Sequence, residues 1–206
     1  VDGKIVIRQM DVRRRDAVAN VIAGIERSVG PTDVLINNAG LAPGLEPAQH
    51  VALDDWEAMV NTNVKGLLYC TQAVLPGMVE RDCGYIINLG SIASSYPYPG
   101  SQMYGASKAF AHQVSLNLRA DLLGSRIRVS CIEPGLCGGT GFSVTRFKGD
   151  IGKTNDIYCG TEPLTAEDIA QIVSCLIALP AHVNVKHLEL MPTCQAFAPF
   201  SAARSA

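Results

Sequence analysis

Tyr104 and Lys108 are four residues apart in a stretch with helical periodicity, Tyr104 to Leu123, where Phe110, Val114, Leu118 and Leu122 share one face. That spacing puts the phenol and the ammonium one turn apart on the same side. A phenol titrates near about 10, too high for a base at neutral pH, and a neighbouring cation favours the phenolate. The pair is therefore a candidate general acid or base. Alone, Tyr-x-x-x-Lys reads equally well as a half-buried tyrosine beside a solvated lysine. Ser91, thirteen residues upstream, adds a hydroxyl that could hold a substrate oxygen beside the tyrosine, or could be a turn serine after Gly90. Asn63 lies inside a predicted helix, where asparagine is slightly unfavourable, so a hydrogen-bonding role is open. Asn37-Asn38-Ala39-Gly40 follows a short apolar run and reads as a strand-ending turn.

The elements that must position these residues alternate in type. Lys4-Ile5-Val6-Ile7 reads as a strand ending near Asp11, and Asp16 to Val29 as a helix with Val18, Val21, Ile22 and Ile25 inward. Strands follow at Asp33–Ile36, Tyr85–Leu89, Ile127–Ile132 and His187–Leu190. Asp54-Asp55-Trp56-Glu57 looks like a capping box opening a helix, with Trp56 packed behind the cap. The stripe Val60, Val64, Leu67, Leu68, Val74, Leu75 continues that helix, and Pro76-Gly77 should kink or end it. Thr165-Ala166-Glu167-Asp168 starts a helix to about Leu179. Strand–helix repetition predicts an α/β fold, a parallel sheet with helices on both faces, in one domain over residues 1–206. Ligands bind such sheets beyond the carboxyl ends of the strands, where Asp11, Asn38, Ser91 and the segment after Ile132 fall.

Composition narrows the function. Hydrophobic residues make up 48% and charged residues 17%, as in a globular core, and the net charge of −2 gives no case for nucleic acid or an anionic membrane. No apolar run is long enough to span a bilayer and no signal-peptide pattern opens the chain, so the expected address is the cytosol. The seven cysteines include no CxxC pair and read as small buried hydrophobes, while His50, His112, His182 and His187 show no ligand spacing, so no metal site is expected. Arg146 and Lys148 could grip a carboxylate or form a solvated basic loop.

Taken in order, Asn37-Asn38-Ala39-Gly40, Asn63-x-x-Gly66, Ser91, Tyr104-x-x-x-Lys108 and Pro134-Gly135 resemble the short-chain dehydrogenases/reductases over essentially the whole chain. The resemblance implies a Rossmann-like doubly wound parallel sheet and hydride transfer between a nicotinamide cofactor and an alcohol or carbonyl. It implies Tyr104 as proton donor or acceptor, with Lys108 lowering its pKa and binding the nicotinamide ribose. Ser91 would position the substrate oxygen, and Asn63 would hold a water in a proton relay. Asp11 and Val12 would meet the adenine end and Asn38 the cofactor. Pro134, Gly135, Leu136, Cys137, Gly138, Gly139, Thr140, Gly141 and Phe142 would cover the nicotinamide, with Thr140 one place later than in the commonest pattern.

Further segments are similar to the NADP-dependent 3-hydroxy acid (serine or L-allo-threonine) dehydrogenases: Ile132-Glu133-Pro134-Gly135-Leu136, Arg146-Phe147-Lys148-Gly149-Asp150, and Leu179-Pro180-Ala181-His182-Val183-Asn184. This implies NADP, with NAD not excluded, a small 3-hydroxy acid or carbonyl substrate held by Ser91 and Arg146, and a homotetramer. Other readings are a 3-oxoacyl or sugar-alcohol reductase of the same fold, or a truncated, non-catalytic dehydrogenase-like scaffold. The family's first strand, glycine-rich turn and second strand do not precede Val1. Gly135, Gly138, Gly139 and Gly141 come after the sixth strand and cannot replace that turn. In the order 3-2-1-4-5-6, about forty to fifty residues that would fill the middle of the sheet are absent. A working protein with a longer amino terminus is the expectation.

Overall fold

The computed structural model describes Gly3 and residues 5–196. Four parallel strands, β1 (Val34–Asn37), β2 (Gly84–Leu89), β3 (Ile127–Pro134) and β4 (His187–Leu190), form one sheet in the order β1-β2-β3-β4. Seven α-helices accompany it among the described residues: α1 (Arg15–Val29), α2 (Leu53–Met59), α3 (Leu67–Glu80), α4 (Gln102–Asp121), α5 (Phe142–Arg146), α6 (Ile151–Tyr158) and α7 (Ala166–Ala178).

Both faces of the sheet are covered, as strand alternation dictates. Ile86, Ile127 and Val129 pack with Val18 and Ile22 of α1 and Cys70, Val74 and Met78 of α3. Tyr85, Ile87 and Ile132 point the other way, onto Val173 and Leu176 of α7. Parallel register brings Asn37 level with Asn88, Leu89 with Ile132, and Pro134 with Leu190. The carboxyl ends of all four strands therefore share one edge, where Asn38, Ser91 and the segment after Pro134 emerge.

Several local expectations fail for identifiable reasons. Residues 5–11 form no strand, and Ile5 and Ile7 are 86% and 84% exposed; Lys4 lies outside the described residues. A strand exists through hydrogen bonds to a neighbour, and in the described sheet the outer edge of β1 pairs with nothing. No capping box opens α2: Ala52 is its N-cap and makes no side-chain bond, although Asp54 and Asp55 in the first turn still suit the helix dipole. A capping box opens α7 instead, where Thr165 and Asp168 bond reciprocally. Pro76 does not end α3, which runs on to Glu80. Its neighbours Val74 and Met78 are buried in the core, and that packing outweighs the lost backbone bond.

The predicted apolar stripe of α4 is only half-buried. The fully buried face carries Ser107, Lys108, Ala111 and Ser115. Small side chains let the helix backbone approach the sheet closely, so they, and not the larger residues, face inward. Four of the seven cysteines, Cys83, Cys159, Cys175 and Cys194, are exposed, against the expectation of burial.

Candidate active site

β2 ends at Leu89, and Gly90 leads into Ser91, which caps a short 3-10 turn (Ile92–Ser94) by accepting a hydrogen bond from Ala93 N–H at 3.2 Å. The start of α4 lies against that turn. A Cβ on Gly105 would stand 2.9 Å from the Ala93 carbonyl oxygen, so glycine permits the approach. The result sets the Tyr104 phenol beside the Ser91 hydroxyl, which favours the ionised phenol.

Tyr104 sits in a crowded wall. Its ring packs at 52° to Phe142 with centroids 5.7 Å apart, and the Arg146 guanidinium lies 5.3 Å from the Tyr104 centroid and 4.9 Å from that of Phe142. Arg146 also donates to the Ala42 carbonyl and the Tyr98 hydroxyl, at 3.3 Å each. Burial pushes the phenol above its ordinary value, while the Ser91 hydrogen bond and the Arg146 charge pull it back part of the way.

Lys108 is 7% exposed, and its ammonium donates to the Leu89 carbonyl at 2.7 Å. Its Nζ stands 5.8 Å from the Tyr104 centroid. Burial lowers its pKa to about 8. Arg146 thus adds a second cation beside Tyr104, one that the Tyr-x-x-x-Lys spacing does not reveal.

Asn63 sits in a π-helical turn (Val60–Gly66) joining α2 to α3. Its side-chain amide is fully engaged: Oδ1 accepts from Leu41 N–H, and Nδ2 donates to the Leu41 carbonyl and to Ser107 Oγ, all at 2.9 Å. This pins the strap Asn38–Leu41 over the site. A Cβ on Gly40 would lie 3.4 Å from both Asn63 Oδ1 and Lys108 Nζ, so the strap approaches the lysine closely.

The other expected positions fall around this centre. Asn38 is exposed at the end of β1. Asp11 and Val12 line a cleft of about 370 Å³ with Met10, Ala39 and Thr62. Arg13 grips the Asp11 carboxylate with both prongs, at 2.9 and 2.8 Å, and holds its pKa down at about 2. From Pro134 the chain is moored to neighbours: Gly135 N–H to Leu190 O, Leu136 N–H to Gln195 Oε1, Gly138 N–H to Leu164 O, and Cys137 O to the Tyr158 hydroxyl. Gly139, Thr140 and Gly141 are exposed just beyond those moorings, and Thr140 Oγ1 accepts from Phe142 N–H. Arg146 turns into the site, whereas Lys148 turns out to pair with Asp55 at 2.9 Å.

Two polar arrangements escape linear reading. Asn37 Nδ2 donates to Asn88 Oδ1 and Thr71 Oγ1, and Asn88 Nδ2 donates to Ser115 Oγ, which ties β1, β2, α3 and α4 beneath the site. The signal available was two asparagines ending predicted strands. The second corrects the expectation of unclustered histidines: His112 and His187 both reach the buried Glu133. No spacing rule joins residues so far apart.

The sequence profile described as short chain dehydrogenase matches residues 2–150. The NADP-dependent 3-hydroxy acid dehydrogenase YdfG of Salmonella typhi is 54% identical over 201 residues, covering 98% of this chain and 81% of that protein. Sulfoacetaldehyde reductase 2 of Chromohalobacter salexigens is 47% identical over 196 residues, covering 95% of this chain and 77% of that one. The closed form of a serine dehydrogenase complexed with NADP+ superposes with a TM-score of 0.94 at 52% identity, over 96% of this chain and 80% of that one. With a family match over most of its length and relatives this similar across nearly all of it, the chain belongs to the short-chain dehydrogenase family.

Proposed function

We propose that this protein transfers a hydride between NADP and C3 of a small 3-hydroxy acid, with Tyr104 as the acid–base group. The observation that carries this reading is the convergence of the Ser91 hydroxyl, the Tyr104 phenol and the Arg146 guanidinium on one wall. A hydroxy acid offers an oxygen for the first two and a carboxylate for the third. The names of the similar dehydrogenases agree with it.

The residues present fit the cofactor. Leu89 O is the one hydrogen-bond partner of Lys108 among the described residues, which leaves further N–H donors for a ribose diol. Thr62, whose buried hydroxyl finds no partner, lines the cleft at Asp11 and Val12 where the adenine end would lie. NADP, when bound, supplies the hydride acceptor or donor. In oxidation, Ser91 and Tyr104 hold the substrate hydroxyl, Tyr104 takes its proton, and C3 loses hydrogen with its electron pair as the carbonyl forms. In reduction, Tyr104 returns the proton to the oxygen. Its raised pKa keeps the phenol protonated in the resting site, so it is ready as an acid; its action as a base requires added positive charge beside it. The proposal extends to one catalytic domain over residues 1–206, a homotetramer and a cytosolic address.

The test is absorbance at the reduced-nicotinamide band with NADP and L-serine or 3-hydroxypropionate, and in reverse with NADPH and sulfoacetaldehyde. Turnover of a carboxylate or sulfonate substrate, lost on Arg146→Ala, supports the reading. A protein that reduces neutral 3-oxoacyl or sugar substrates, and is indifferent to Arg146→Ala, is the other reductase. No turnover and no dinucleotide binding would make it a non-catalytic scaffold.

A further inference from the structure

Three side chains on the flank of β3 meet at a point that the proposed reaction does not use. Glu133 is fully buried. Its Oε1 lies 2.9 Å from His112 Nδ1 and its Oε2 2.8 Å from His187 Nε2. The two imidazole rings stand edge to face, 4.8 Å between centroids. One ligand atom from each of the three residues lies within 4.8 Å of the others. They come from α4, β3 and β4, so the meeting is made by the fold and not by local turn chemistry. The carboxylate is wedged in place: a Cβ on Gly90 would stand 2.7 Å from Glu133 Cγ.

A carboxylate shut off from water needs positive charge beside it. Two imidazoles and a carboxylate are also a donor set that holds zinc and neighbouring divalent ions. Glu133 anchors the inner side. The imidazoles form the outer side, with side chains 27% and 28% exposed, which gives an ion a path from solvent and room for water as a further ligand. Ligand atoms about 2.0–2.1 Å from a tetrahedral ion stand roughly 3.4 Å apart, so the hydrogen-bonded separations need to open by about half an ångström and the widest separation, up to 4.8 Å, needs to close by about an ångström or more. Small rotations of two partly exposed rings supply that.

We propose that His112, Glu133 and His187 form a binding site for a divalent transition-metal ion, zinc being the best chemical match, that fastens α4 to β3 and β4. Without metal, the carboxylate and imidazoles share hydrogen bonds; the ion displaces the shared protons and takes over the neutralising charge. The site stands independently of which substrate the enzyme turns over.

The experiment uses the protein stripped with a chelator and titrated with Co2+ at about pH 7.5. One Co2+ per chain should bind with visible d–d absorption, Zn2+ should displace it, and Tm should rise. His112→Gln and His187→Gln each keep an amide donor for Glu133 but remove an imidazole ligand, and each should weaken Co2+ binding by at least about tenfold. No visible absorption and no rise in Tm with either ion overturns the proposal, as does parent-like binding by both variants. Should a variant fail to fold, the parent decides: Zn2+ must shift the ring-proton resonances of two of its four histidines. No shift, or a shift of His50 and His182 instead, overturns it.

Discussion

Lys108, on α4, and Glu133, on β3 facing α4, are both ionisable and both buried, yet their surroundings differ. Glu133 has an imidazole on each oxygen. Lys108 has a single carbonyl partner, and burial lowers its pKa to about 8. A buried charge with its hydrogen-bonding capacity filled holds elements together. One with donors left open costs stability and makes sense only if a ligand completes it. The contrast separates a clasp from a binding site on neighbouring turns of one helix.

The largest effect on stability should come from the filled charge. Glu133→Ala removes both imidazole partners and leaves a cavity, and is expected to cost about 3–5 kcal/mol. Urea unfolding reads this directly, and a loss below about 1 kcal/mol would mean that Glu133 clasps nothing. Asn63→Ala comes next. It strands the Leu41 N–H and carbonyl and should cost about 2–3 kcal/mol while loosening the strap at Gly40. NADP affinity should fall with it; unchanged affinity would separate the strap from the cofactor site.

Lys108→Met should run the other way. Replacing an under-partnered buried ammonium is expected to stabilise the cofactor-free protein by about 1–3 kcal/mol near pH 7, with loss of activity. The pH dependence has a definite sign. Between the folded value of about 8 and the ordinary 10.5, the unfolded chain binds more protons than the folded one, so parent stability rises with pH across that window. The methionine variant's advantage should shrink over the same range. A parent more stable than the variant at pH 7 would break the contrast with Glu133.

The same contrast explains what the sequence could tell. Lys108 and Tyr104 are joined by one helical turn, a local relation that spacing reveals. Glu133, His112 and His187 are joined only by the packing of α4 onto β3 and β4, so no linear pattern announces them. The existence of α1, α2, α3, α4 and α7 and of β1 to β4 follows from apolar periodicity and is legible, whereas α5 and α6, at five and eight residues, are too short to show a repeat and were not expected. The strand expected at Ile5–Ile7 does not form, because a strand depends on a neighbour that its own residues cannot specify. The π-helical turn at Asn63 was also hidden, since it keeps a helix-like pattern while changing what the asparagine side chain faces. Arg146 could be nominated from chemistry, but only the fold shows it turned onto Tyr104 while Lys148 turns to Asp55.

The most direct test of the central claim is Tyr104→Phe, assayed for NADPH production beside a dinucleotide-binding measurement. The phenyl ring keeps the packing against Phe142 and Arg146 and removes only the hydroxyl. Turnover should fall by about 10²–10⁴ while NADP still binds. Turnover within a few-fold of the parent would contradict the assignment of Tyr104 as the acid–base group.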